Sequence, residues 1–163
     1  MSQLVLKQRI MSWNDSYDVT DIDGRPIWFV KADLFSFGKC IRVYDKETRA
    51  EIAVIKESVF SFMKQFTIFI NGEKEGKIER QMSLFEPKFT VDFKDWLITG
   101  NFMGLSFKAT LEGNEIFTIS KKILAFGDTY VIDCRDDKDD LAALIVTIAI
   151  DAACHDNQTG GTL

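Results

Sequence analysis

The stretch LAALIVTIAIDAAC, residues 141–154, decides the fold. It is apolar on nearly every side. A surface helix keeps a polar face, and a helix that is apolar all round is normally buried. Its fourteen residues rise about 21 Å, short of the roughly 30 Å of a bilayer core. The rest of the chain is therefore expected to wrap around it. The preceding RDDKDDL, 135–141, suits a helix start, with Asp136 or Asp137 as cap and acidic side chains at the positive end of the helix dipole. The helix is expected at about 137–155.

What wraps it is legible upstream. Short runs rich in Val, Ile, Phe, Tyr and Thr follow one another from residue 3 to residue 134. Turn signals separate them at Asp23-Gly24, Asn71-Gly72, Lys94-Asp95 and Gly113-Asn114. The runs also repeat. LKQRIMSW (6–13), VKADLFSF (30–37) and IKESVFSF (55–62) share one pattern: aliphatic, Lys, two mostly polar residues, aliphatic, apolar, Ser, aromatic. IERQMSLF (78–85), ITGNFMGL (98–105) and ISKKILAF (119–126) are weaker copies, and successive copies start 24, 25, 23, 20 and 21 residues apart. That spacing holds two short strands and their connections.

Six two-stranded units give about twelve strands in a meander. A sheet this long closes or splits rather than staying open, and closure leaves no edge strand. Twelve strands enclose more space than side chains alone readily fill, and the apolar helix fills it. The expected fold is mainly β with one helix: a closed antiparallel barrel of about twelve strands around a buried C-terminal helix. Residues 1–156 form the single domain and 157–163 a flexible tail. All six repeat connections then lie at one end of the barrel, the first rim. The tight turns near Gly24, Thr48, Gly72, Asp95 and Gly113 lie at the other, the second rim. The helix starts at the second rim and returns through the lumen, so Asp151 and His155 emerge near the first.

Composition narrows the function. The net charge is -5, all of it carried by residues 136–163, so residues 1–135 are neutral overall. Nucleic-acid binding is disfavoured, because it rests on a basic surface. Three cysteines without a C-x-x-C pair point to free thiols in a reducing compartment. MSQLVLKQRIMSW lacks the apolar run of a signal peptide. The reading is a cytoplasmic protein without a transmembrane span, peripheral to a membrane at most.

No catalytic set is present. The single histidine, His155, excludes any site needing two. There is no G-x-S-x-G elbow, P-loop or G-x-G-x-x-G. Asp151 and His155 are four residues apart on one helix face and read as a structural pair at the barrel mouth. Ser12, Ser36 and Ser61 recur at one repeat position, which suits a turn hydrogen bond in each unit. DVTDIDGRP, 18–26, fails as a calcium loop: with Gly24 as its central glycine, positions one and twelve are Val19 and Val30. It reads as a hairpin turn. Cys134 and Cys154 read as small apolar residues, and the fourteen phenylalanines as packing between wall and helix. No metal or cofactor is expected.

The segments VKADLFSFGK and IKESVFSFMK, with the closing ALIVTIAIDAACHD, resemble the LURP-one-related (YxjI-like) family, which belongs with tubby C-terminal domains and phospholipid scramblases. The resemblance covers essentially the whole chain. It implies a twelve-stranded barrel around a central C-terminal helix. Tubby domains bind phosphoinositide head groups and scramblase-like members act at membranes. This chain has no cysteine-rich stretch, no net basic charge and no lipidation motif.

The functional expectation is a non-enzymatic binding or scaffold domain that recognises anionic lipid head groups or a protein partner weakly at a barrel rim. The alternatives are an enzyme using Asp151, His155 and nearby rim groups, or a small-ligand carrier, against which the filled lumen argues. Lys7, Lys31 and Lys56 occupy one position in the three strongest repeats and are the candidate anion-binding residues. Each follows an aliphatic residue on a strand, so each points outward if Leu6, Val30 and Ile55 point inward.

Overall fold

A computed structural model of the protein describes residues 1–9, 16–35, 38–101, 103, 105–125 and 127–155. Twelve strands run in chain order: β1 (Ser2–Arg9), β2 (Ser16–Asp21), β3 (Pro26–Phe35), β4 (Gly38–Asp45), β5 (Glu51–Glu57), β6 (Gln65–Ile70), β7 (Glu73–Gln81), β8 (Lys88–Val91), β9 (Trp96–Gly100), β10 (Ser106–Leu111), β11 (Asn114–Lys122) and β12 (Thr129–Cys134). Each pairs antiparallel with its neighbours in sequence. β1 also pairs with β12, Leu4 opposite Ile132, and closes the barrel. A 3-10 turn, Asp137–Asp139, leads into the helix α1, Asp140–His155.

The sequence repeat is the register of this barrel. Its first position is Leu6, Val30, Ile55, Ile78, Ile98 and Ile119, each at most 1% exposed. These six side chains point into the lumen from alternate strands. The next residue faces out, as two-residue periodicity requires: Lys7, Lys31 and Lys56 are exposed. The third position faces in again, now at the mouth of the barrel, where it is Gln8, Ala32, Glu57, Arg80, Gly100 and Lys121. Gly100 is needed there: a Cβ would lie 2.5 Å from the Phe107 ring and 2.6 Å from Pro87.

The helix occupies the lumen. Every residue from Ala142 to Ala153 is at most 7% exposed. Its five alanines leave room for large wall side chains such as Phe66, Phe89 and Phe117, and both sets belong to one hydrophobic core. Thr147 satisfies its hydroxyl on the Ala143 carbonyl within the helix, at 2.8 Å. The helical segment begins at 137 as the sequence indicates, but its first turn is 3-10 and the α-helix proper starts at Asp140. Asp136 caps that turn by accepting from the Lys138 N–H at 3.2 Å.

Polar contacts fix the helix at both ends. At the second rim Lys94, from the turn between β8 and β9, meets the buried Asp139 at 3.3 Å. Ser2 donates to Asp140. At the first rim Lys39 Nζ donates to the Ala152 carbonyl at 3.2 Å, satisfying an acceptor in the last turn, where a cation also meets the negative end of the dipole.

The second-rim turns are tight because their backbones enter the left-handed region. Arg49, Asn71, Asp95 and Glu112 have φ of 63, 51, 55 and 50°, and Gly24, Gly72 and Gly113 sit near +80°. Primed turns of this kind match strand twist and favour Gly, Asn and Asp. Asp45 adds a local brace, accepting from the Glu47 and Thr48 N–H groups and the Thr48 hydroxyl. These bonds lower its pKa.

Candidate functional site

The strands deliver unlike connections to the two ends. The first-rim segments read SVFSFMK (58–64), MSLFEP (82–87) and ILA (123–125). Nine of the twelve exposed large apolar side chains among the described residues stand on this rim: Val59, Phe60, Phe62, Met82, Leu84, Phe85, Met103, Ile123 and Leu124. Phe60 is 96% exposed, Phe62 91% and Leu84 90%. A single exposed apolar residue needs no explanation, but a concentration at one end of a molecule marks an interaction surface. The assignment of the phenylalanines to wall-helix packing is thus corrected in part. It holds for Phe66, Phe89, Phe107 and Phe117, while Phe60, Phe62 and Phe85 face solvent. The signal was present in the repeat: in IKESVFSF (55–62) and IERQMSLF (78–85) the apolar residues that end each copy fall past the strand, in the connection.

Inside this apolar ring the barrel mouth is charged. Asp151, one turn from the helix end and 6% exposed, accepts hydrogen bonds from the hydroxyls of Tyr17 on β2 and Tyr130 on β12. Lys121 lies 3.9 Å from Asp151 and 2.8 Å from Asp128, and its ammonium sits 5.3 Å over the Tyr130 ring. Lys64 pairs with Glu57, which points inward after Ile55. Burial first, and then the Asp151 charge, push the Tyr130 hydroxyl far above its ordinary range. Tyr130 thus stays a donor. The network ties β2, β11 and β12 to the helix end. It engages Asp151 on several sides, which suits a fixed anchor better than an exposed general base.

The predicted site residues fall as follows. Lys7, Lys31 and Lys56 point outward below the first rim, on β1, β3 and β5. Strands two apart are about 10 Å apart, so the lysines form a spaced row. Lys31 lies 4.0 Å from Asp33 and Lys56 covers the Phe69 ring at 5.0 Å. Lys31 also borders a wall groove of about 280 Å³ with Phe29, Tyr44, Lys46 and Arg49. The His155 side chain lies outside the described structure, so the Asp151–His155 pairing falls there too, as do Ser12, Ser36 and the tail 157–163. Ser61 makes no side-chain hydrogen bond among the described residues; its loop is closed by Ser58 N–H to the Gln65 carbonyl at 2.8 Å. The acidic 18–26 segment is a hairpin turn, Gly24 N–H to the Asp21 carbonyl at 3.1 Å. Cys134 is buried, and burial pushes its thiol up to about 12 with help from Asp140. Burial raises the Cys154 thiol as well.

Comparisons with known proteins agree with this architecture. A LURP-one-related family model matches residues 2–151. The uncharacterised protein YxjI of Bacillus subtilis (strain 168) is 24% identical over 158 residues, covering 97% of each chain. The X-ray structure of a protein from Arabidopsis thaliana superposes with a TM-score of 0.58 at 10% identity, covering 91% of each chain. At that identity the likeness speaks for the fold alone.

Proposed function

Starting from membership of the LURP-one-related family, to which this chain belongs, we propose a non-enzymatic module that docks on anionic membrane surfaces through the first rim. The observation that carries this reading is the set of exposed apolar tips on that rim. The tips are spread over separate connections, including 58–64, 82–87 and 123–125, and the charged barrel mouth lies among them. A fluid bilayer accepts separate apolar tips independently, while its head groups meet the polar mouth. A rigid protein partner would need a matching socket for each. Transfer of an apolar side chain out of water contributes about 1.5–3 kcal/mol when complete, so a few partly inserted tips suffice for reversible binding.

Lys7, Lys31 and Lys56, one strand position below the rim, add long-range attraction of about 1 kcal/mol each near an anionic surface. Docking would be peripheral. No described helix is long and apolar enough to cross a membrane. The outward strand positions also carry exposed charges such as Lys7, Lys56, Lys77 and Lys108, where a lipid-facing barrel needs an apolar band.

The test is co-sedimentation with vesicles of mixed phosphatidylcholine and phosphatidylglycerol. Replacing Phe60, Phe62 and Phe85 by Ser should weaken partition about 100-fold, taking roughly 1 kcal/mol per partly inserted tip, and leave the melting temperature unchanged. Replacing Lys7, Lys31 and Lys56 by Gln should weaken it less, and only at low salt. A wild-type chain that ignores vesicles would remove the proposal. Saturable capture by a protein or self-association, lost in the triple Phe variant, would reassign the rim to that partner.

A further inference from the structure

Among the described residues, Arg80 stands apart from the other cations at the mouth of the barrel. Lys39 donates to the helix carbonyl of Ala152, Lys64 pairs with Glu57, and Lys121 pairs with Asp128 and Asp151. Arg80 does none of this: among the described residues its guanidinium makes no hydrogen bond or ion pair, although the residue is half-buried. It follows Ile78 by two positions on β7 and so points to the lumen side at the rim, opposite the buried Phe89. Its backbone N–H is fixed on the Lys64 carbonyl at 2.8 Å. A guanidinium held on a rigid strand and left unpaired is prepared for an oxyanion, which it binds with two parallel N–H donors.

The surroundings specify what kind of oxyanion. Arg80 lines a groove of about 310 Å³ together with Leu84, Phe85, Pro87, Met103 and Cys154. It also lines an adjoining groove of about 270 Å³ that adds Phe62, Lys64 and Met82. The cation is therefore ringed by the same apolar tips that mark the rim. An amphiphile fits this arrangement, with its anionic head on Arg80 and its apolar part among Leu84, Phe85 and Met103. Glu86 borders the first groove as well, and Lys64 is neutralised by Glu57. One unpaired positive charge beside a carboxylate suits a singly charged phosphodiester. It does not suit a polyphosphorylated head group, whose several charges would find one partner and one repulsion.

We propose that Arg80 receives the phosphodiester of a membrane glycerophospholipid when the first rim docks. This rests on the docking reading above and gives it a stereospecific contact. The expected consequence is that Arg80 contributes more than its share of net charge.

The experiment measures partition of the full chain into phosphatidylcholine–phosphatidylglycerol vesicles for wild type, Arg80→Gln, Arg80→Lys and Lys122→Gln, the last removing one exposed charge at the same rim. Arg80→Gln should lower partition about tenfold or more, the effect of losing hydrogen bonds to a charged group. Lys122→Gln should lower it about fivefold or less, and Arg80→Lys should fall between. All four should melt alike. Equal losses in Arg80→Gln and Lys122→Gln would overturn the site and leave docking intact, whereas wild type failing to bind vesicles would remove docking itself. An Arg80→Gln chain that melts lower but partitions normally would make Arg80 a counter-charge to the helix end and overturn the proposal. Inorganic phosphate at constant ionic strength should leave wild-type partition unchanged; displacement would assign Arg80 to a free anion. A polyphosphoinositide that outcompetes charge-matched phosphatidylglycerol would overturn the single-charge assignment.

Discussion

The two ends of the barrel are made by the same strands and finished in opposite ways. The second rim carries IDGR, KETRA, NG, DFKD, EG and RDDKD: short, charged, and bent through left-handed backbone at Arg49, Asn71, Asp95 and Glu112. The first rim carries longer connections tipped with Phe60, Phe62, Leu84 and Phe85. The polar end is what folding alone asks for, since turn residues keep their polar groups in water. The apolar end exposes side chains that folding leaves unused. The difference makes the first rim the candidate interaction surface and leaves turn formation to the second.

The largest effect should come from the element that joins the ends. Ile148 is 1% exposed in the middle of α1. Ile148→Asp places an unpaired charge in the lumen and should cost about 4 kcal/mol or more, unfolding both rims together. A thermal melt within a degree or two of wild type would show that the helix does not hold the barrel.

A smaller effect should separate the ends by pH. Tyr130 is held protonated at the first rim by burial and by Asp151. Its folded pKa lies above the ordinary value of 10.0, so the unfolded chain releases this proton first. The stability contribution is complete below about pH 10 and declines above it, by about 1.4 kcal/mol per pH unit. Tyr130→Phe should flatten that alkaline slope. An unchanged slope would mean that the Asp151 network does not govern it.

The smallest effect should be confined to the second rim. Gly113 has φ +83° and a Cβ there would meet nothing within 4 Å. Gly113→Ala should therefore cost only the left-handed backbone penalty, about 1–2 kcal/mol, and leave vesicle partition untouched. A change in partition would show that the two ends are not independent.

Particular residues show what could be read from the chain. The buried helix was legible because LAALIVTIAIDAAC has no polar face. The barrel was legible because the repeat sets Leu6, Val30, Ile55, Ile78, Ile98 and Ile119 in one register, and all six are buried. Closure and helix direction followed from counting hairpins. The candidate surface was less legible. Lys7, Lys31 and Lys56 stood out because they recur, yet they lie on the outer wall rather than in the mouth. Hydrophobicity alone does not separate the exposed Phe60, Phe62 and Phe85 from the buried Phe66, Phe89 and Phe117.

The sequence by itself determined periodicity: which residues alternate inward and outward, how many hairpins there are, and that the last helix must be covered. These are local or additive properties of the chain. Tertiary structure alone decided which polar groups meet. Asp151 is brought to Tyr17 and Tyr130 across 134 and 21 residues of sequence, and among the described residues the Arg80 guanidinium is left without a partner while Lys39, Lys64 and Lys121 find theirs. Barrel closure sets those distances, because the helix end meets the mouth residues only where all twelve strands surround it, and Coulomb and hydrogen-bond energies depend on that separation.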